Sequence, residues 1–333
     1  MATQPAPAVP PARLRQILAR YQESDERQSW LQVATSVIPF LVVWYLMVLS
    51  LDISYLLTLA LAVVAAGFMI RTFIIFHDCG HGSFFADRKW NDIVGVITGI
   101  LTVTPYYYWR HDHAVHHATA GDLDRRGTGD VQTLTVDEYR ALSPTKKFLY
   151  RALRNPLILV GIGPFVMFAI IHRFSRPGVA RRERMSVYGT NLALAGIVAA
   201  LMLLVGWKEF LLVQVPILVI ASSAGVWLFY VQHNFVGSYW ERHKDWDYFQ
   251  AGLKGSSFYQ LPGWLQWFTG NIGFHHIHHL SSKIPNYRLA QCHRENPEFQ
   301  VDPLTIRESL VSLRLRFWDE ARGKMVGYEA LRG

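Results

Sequence analysis

The chain has 333 residues, 51% of them hydrophobic and only 17% charged, against roughly 25% charged in an average soluble domain, so much of it must avoid water. Its net charge of +8 comes without an aromatic-interleaved basic stripe, which excludes nucleic acid as a partner. Cys79 and Cys292 lie far apart and outside any CxxC, which excludes a disulfide framework and a thiolate zinc site and points to the reducing side of a membrane.

The N-terminal stretch MATQPAPAVPPARLRQ reads as a disordered Pro/Ala-rich tail within residues 1–30, a segment that also holds an amphipathic helix. The first apolar run begins near Trp30 with no small-residue cleavage site behind it, the pattern of an uncleaved membrane anchor. A membrane-spanning helix needs about 20 mostly apolar residues. Four stretches qualify, near 30–51, 54–76, 187–205 and 210–231. Two others do not: DIVGVITGILTV is too short, and PLILVGIGPFVMFAII is interrupted by Gly161, Gly163 and Pro164, so it must turn back or leave backbone groups unpaired in lipid.

Arginines set the sidedness. Arg13, Arg15 and Arg20 precede the first span, and the Arg173 to Arg184 loop carries five arginines against one Glu, so both belong in the cytoplasm by the positive-inside tendency. An even number of crossings then separates them. The simplest solution is an all-α membrane protein with four spans in two hairpins, re-entrant or interfacial helices between them, and both termini cytoplasmic; a paired crossing by the two weaker stretches keeps the same parity. From Gly237 onward the chain is polar and aromatic, and DPLTIRESLVSLRLRFWDEA reads as an amphipathic helix with Asp302 as N-cap. The expected organisation is an N-terminal segment 1–30, a membrane domain 31–293 and a C-terminal cytoplasmic helix within 294–333.

Ten of fourteen histidines fall in three clusters: HDCGH (His77, His81), HDHAVHH (His111, His113, His116, His117) and HHIHH (His275, His276, His278, His279). By the crossing argument all three face the cytoplasm, where they can converge. His77 and His81 are one helical turn apart, and His113/His116/His117 and His275/His278/His279 repeat an i, i+3, i+4 pattern that shares a helix face. His111 points away from its cluster, and only the parallel between the clusters ranks His276 below its neighbours. His172, His243 and His293 read as ordinary histidines.

So many convergent imidazoles would carry a heavy desolvation and repulsion cost when protonated, and bound metal removes it. Neutral imidazole suits iron, zinc, copper and nickel. A catalytic zinc takes three protein ligands, whereas three clusters offering eight to ten donors point to two metal ions. No Glu has a His three residues after it and HExxH is absent, so neither a carboxylate di-iron bundle nor a zinc protease fits. Asp78 and Asp112 each follow the first His of a cluster and are placed to accept an imidazole N–H from behind. His233, in FYVQHNF at the end of the fourth span, is an additional candidate ligand. A metal transporter would need ligands at bilayer depth, and the four spans carry none.

The three boxes, HxxxH, HxxHH and HxxHH, with a lone His before the last, resemble those of the integral-membrane fatty acid desaturase superfamily. WRHDHAVHHATAGDLDRRGTGDVQTLTVDEY, YVQHNFVGSYW, GSSFYQLP and TGNIGFHHIHHLSSKIPNYRL are similar to segments of its bacterial acyl-lipid members, and the resemblance runs from about residue 71 to 293. It implies His77, His81, His113, His116, His117, His233, His275, His278 and His279 as ligands of two iron ions. It also implies O2 as co-substrate, insertion of a cis double bond into an acyl chain of a membrane lipid, and a bacterial inner-membrane location with the site on the cytoplasmic face. With no HPGG cytochrome b5 signature and no GxGxxG motif, electrons would come from a separate donor with its reductase, a ferredoxin or a b5-like protein. The same boxes also serve hydroxylases and ketolases of alkanes or carotenoids. Where acyl-CoA desaturases of animals carry a water-holding Asn one turn before the lone His, this chain has Phe229. An alkyl chain needs an apolar tunnel, for which the aromatics 106–109 and 264–268 are candidates, an interfacial belt being the other reading.

Overall fold

The computed structural model describes residues 10–332; the first nine residues of the Pro/Ala tail lie outside the described residues. Within the remainder of that tail, α1 (Pro11–Ala19) buries Leu14, Ile17 and Leu18 against the segment that follows the third histidine cluster. The spans are α2 (Glu26–Ser50), α3 (Tyr55–His81), and later α9 (Arg181–Val205) and α10 (Trp207–His233), each long and apolar enough to cross a bilayer. Asp25 starts α2 by accepting the Gln28 N–H, as an N-cap carboxylate does. Apolar content alone ends the second span near 76. The helix instead runs on through HDCGH and stops where Gly82 turns left-handed (φ 64°), so His77 and His81 ride on its last two turns rather than beyond it.

Between the hairpins, α4 (Arg88–Leu101) is only about 21 Å long at 1.5 Å per residue, short of the roughly 30 Å hydrocarbon thickness. It turns directly into α5 (Tyr106–Thr119), which packs on α3 and α9 and carries the second cluster. The chain then forms β1 (Leu134–Thr135), α6 (Val136–Ala141) and α7 (Pro144–Leu153). A 57° bend separates α7 from the apolar segment Leu157–Arg173. That bend falls ahead of Gly161, Gly163 and Pro164; these residues mark instead a π-helical turn (Leu157–Ile162) leading into α8 (Gly163–Ala169). A Cβ on Gly163 would lie 2.3 Å from the Ile158 carbonyl oxygen, so the wide turn requires glycine there.

After α10 come α11 (Tyr248–Gly255), β2 (Phe258–Gln260), α12 (Gly263–Phe268), α13 (His275–Leu280) and α14 (Asn286–Glu295). The expected C-terminal helix is cut short to residues 306–314, where an α-turn runs on into a 3-10 turn (Leu310–Arg314). β3 (Pro303–Thr305) pairs parallel with β2, and a four-residue α15 (Ile306–Ser309) follows, capped by Thr305 and Glu308 rather than by Asp302. Then β4 (Phe317–Asp319) and β5 (Lys324–Val326) make a hairpin whose first strand also pairs with β1. The alternating run LRLRFW and Gly323 (φ 58°) suit a strand and a tight turn, and pairing with a distant strand outweighs the local helical pattern.

The core beneath the third cluster joins the two ends of the chain: Leu14, Leu18 and Tyr21 pack with Ile277, Leu280, Leu289 and Phe299. Tyr21 also donates to Glu295 at 2.6 Å and accepts from Asn296 at 2.9 Å. Both cysteines are buried and free.

Candidate metal centre

Four helices bring nine histidines together in two groups. His77 and His81 of α3, His113 and His117 of α5 and His278 of α13 form the first; His116 of α5, His233 of α10 and His275 and His279 of α13 form the second. Within each group the ligand-capable nitrogens lie within 4.8 Å of one another. The repeated i, i+3, i+4 spacing therefore splits. α5 lends its i, i+4 pair to the first group and its middle His to the second; α13 does the reverse.

In the first group, Nε2 of His113 lies 3.0 Å from that of His77 and 3.1 Å from that of His117, which is 3.0 Å from that of His278. In the second, Nε2 of His233 lies 3.1 Å from that of His116 and 3.0 Å from that of His275. Two nitrogens at right angles, each about 2.1 Å from one ion, are about 3.0 Å apart, so these spacings match adjacent ligands of a single metal. Nε2 of both His81 and His279 is buried without a hydrogen-bond partner among the described residues. Burial, and then the neighbouring rings, push His113, His117, His275, His278 and His279 well below the ordinary imidazole value, which keeps them neutral and able to bind metal. The donor set fits two transition-metal ions.

Two carboxylates stand behind the groups. Asp78 accepts from His77 Nδ1 at 2.9 Å, and its other oxygen accepts from the backbone and side-chain amides of Asn286 at 2.7 and 2.9 Å. Gln32 of α2 in turn donates to Asn286 Oδ1 at 3.1 Å, so a buried polar chain leads from the first span to the first group. Asp112 does not play the matching part. Its carboxylate is held by Arg176, because the residue points off the α5 face that meets the clusters. That place belongs to Asp130, which accepts from His116 Nδ1 and is fixed by the Gly127 N–H. Burial alone would raise the Asp130 carboxyl, but the adjacent His116 outweighs this and holds it below its usual range. Since a carboxylate only accepts, His77 and His116 both carry their proton at Nδ1 and turn an Nε2 lone pair inward.

Asp130 was not legible from cluster spacing, lying fourteen residues from its partner. The available signal was the pair of glycines before it. Gly129 (φ 71°) is pressed so close to α5 that a Cβ would lie 2.8 Å from the Asp112 carbonyl oxygen, and this approach carries Asp130 up to His116.

Four of the five remaining histidines are engaged elsewhere, while the fifth, His172, lines the cavity described below. His111 is exposed beside Glu183, and His276 donates from Nε2 to the Phe299 carbonyl at 2.9 Å. His243 pairs with Asp122, and His293 packs on Phe258 and Phe274. Phe229 lies against both His116 and His233, with ring centroids 5.1 and 5.2 Å away.

A cavity of about 980 Å³ adjoins the groups, running from His77, His113 and His275 between α3, α10 and the bent segment around α8. Its wall is mostly apolar, with Met69, Ile70, Phe73, Leu218, Phe168 and Met167 among the lining residues. Tyr108 and Trp109 line it, and Trp109 stacks on His113 at 4.3 Å. Residues 264–268 do not. Trp267 lies over Arg71, Phe268 packs against Gly67, and Trp264 is exposed.

Two all-imidazole groups at one end of a long apolar cavity suit oxidation of an alkyl chain, and the profile of the family described as "Fatty acid desaturase" matches residues 53–308. The chain belongs to the fatty acid desaturase family. A Bacillus subtilis fatty acid desaturase is 50% identical over 321 residues, 96% of this desaturase and 91% of the relative. Two proteins of Synechocystis also match. An sn-1 oleoyl-lipid 12-desaturase is 28% identical over 66% of this chain and 63% of its own. An sn-1 acyl-lipid omega-3 desaturase (ferredoxin) is 31% identical over 66% of this chain and 61% of its own. These relatives favour double-bond insertion over hydroxylation or ketolation of alkanes or carotenoids.

Proposed function

We propose that this desaturase acts on acyl chains of membrane lipids with O2 as co-substrate, and that the nine histidines of the two groups hold two iron ions. The observation that carries the reading is the opening of both groups, through His77, His113 and His275, onto a single cavity large enough for a chain of many methylenes. Iron would supply the activation of O2, whose oxidising power is needed for unactivated C–H bonds. The protein supplies the rest. Asp78 and Asp130 fix ring tautomers and orientations, Trp109 and Phe229 shape the wall beside the reacting methylenes, and burial of the groups keeps water from the site.

The electron donor is proposed to be a separate ferredoxin or b5-like protein with its reductase, a reading supported by the ferredoxin named for one relative. The arginines of the 173–184 loop favour a site and termini on the cytoplasmic side of a bacterial inner membrane. Residues 31–293 then form the membrane desaturase domain, with 1–30 and 294–333 as its cytoplasmic flanks.

Gas chromatography of fatty acids from a bacterium expressing the gene tests the function. New unsaturated acyl chains should appear under aeration and be absent without it, and their absence under aeration would refute the reading. Sidedness is tested by Ser282→Cys, which should react with an impermeant thiol reagent only from the cytoplasmic face.

A further inference from the structure

Four charged residues line the cavity: Asp112, Asp130, Arg154 and Arg176. Three of them are partnered: Asp112 and Arg176 pair with each other, and Asp130 accepts from His116 Nδ1. Arg154 is the exception. It is 2% exposed and has no carboxylate partner among the described residues. One nitrogen, Nη2, makes three long contacts, to Asn234 Oδ1 at 3.4 Å and to the carbonyls of Leu315 and Arg316 at 3.3 and 3.4 Å. Nε and Nη1 are buried and donate to nothing among the described residues.

A guanidinium carries five N–H donors in a planar fork suited to two oxygens at once. Burying that charge with most of the fork unused is costly unless something oxygen-rich enters. Tyr150 and Tyr230 flank the group, 6.0 and 5.3 Å from the guanidinium carbon to their ring centroids, and hold it in place without satisfying those donors. Asn234, which touches Arg154, follows the His233 of the second histidine group, so the cation lies beside the metal end of the cavity.

We propose that Arg154 binds the oxygen-bearing end of the substrate, an acyl ester with its phosphate or a free fatty carboxylate, and so sets which methylenes lie beside the histidine groups. This rests on the desaturase reading above. Nε and Nη1 face different edges of the guanidinium, so each donates to its own substrate oxygen, and the alkyl chain extends past His275 and His77 into the apolar part of the cavity. Arg154 is a positioning residue, and the register of the double bond depends on it.

The test uses the full-length protein in two ways. In the aerated host, double-bond position in fatty acid methyl esters is mapped by mass spectrometry for the wild type, Arg154→Lys and Arg154→Gln. The wild type should give one position. Arg154→Lys, which keeps the charge but not the fork, should spread product over at least two positions, and Arg154→Gln should also lose most of its yield. A single unchanged position in a folded variant overturns the proposal, whereas a wild type that makes no double bond overturns the desaturase reading instead.

Because Arg154 also braces the C-terminal segment, wild-type protein in detergent gives a second readout if the variants do not fold. Palmitate or 1-palmitoyl-phosphatidylglycerol should raise its melting temperature at concentrations at least tenfold below those at which hexadecane acts. The stronger of the two identifies the source of the oxygens, and hexadecane acting equally would overturn the assignment.

Discussion

The two histidine groups use the same chemistry but are built differently. In the second, all four rings are buried; in the first, His81 and His117 are partly exposed. The carboxylate behind the first group, Asp78, is part of α3 and is bound to Asn286 and through it to Gln32, so its support comes from three helices. Asp130, behind the second, stands on a loop and is held by one backbone N–H besides His116. The comparison teaches that burial of a site and anchoring of its supports are separate properties: the better sealed group has the more lightly tethered carboxylate.

The largest effect should come from emptying either group. His116→Ala in the second and His278→Ala in the first should each abolish desaturation and reduce the metal bound, while the protein stays in the membrane. Activity retained in one variant would show that the corresponding group is dispensable.

Next come the carboxylates. Asp130→Asn should cost about 10–100-fold in metal affinity or activity with little effect on the metal-free fold, as loss of a partner to a ligating imidazole does. Asp78→Asn should add a stability loss of about 1–3 kcal/mol, because the Asn286 donors lose their charged acceptor. Equal melting temperatures for the two metal-free variants would erase the contrast.

A chelator should remove metal in two phases, the faster from the first group with its exposed rings; a single phase would mean that exposure does not govern release. In the metal-free protein, His113, His117, His275, His278 and His279 are held below their ordinary value, while in the unfolded chain they titrate at about 6.5. The unfolded state then takes protons that the fold refuses, so thermal stability should fall as pH drops below about 6.5, and metal should remove this dependence. Smallest is the C-terminal cap: Thr305→Ala should cost about 1 kcal/mol, read by denaturant unfolding, with metal content unchanged in both groups.

The sequence revealed the spans, the three boxes and the isolation of His233, because each is a local pattern of apolarity or of imidazole spacing. It did not reveal how α5 and α13 divide their histidines, since i, i+3 and i+4 share a face broad enough to serve two centres. Asp112 had the right position in its motif, yet its partner Arg176 is 64 residues away. The C-terminal strands were hidden for a similar reason: Leu134 and Phe317 pair across most of the chain, and no window of sequence contains both. Nothing local in the sequence marks Arg154, because its burial depends on the carbonyls of Leu315 and Arg316, more than 160 positions away.

The polar chain from Gln32 through Asn286 to Asp78 and His77 has a consequence for how the protein comes to be made. Residues 78 and 286 are 208 positions apart, so His77 gains its support only after most of the polypeptide has left the ribosome. The earlier boxes must wait unbraced until about the last sixth of the chain arrives, so any metal they take would be loaded at a late, post-synthetic stage of biogenesis. A truncated product ending before residue 275 would insert its spans yet never mature into an enzyme.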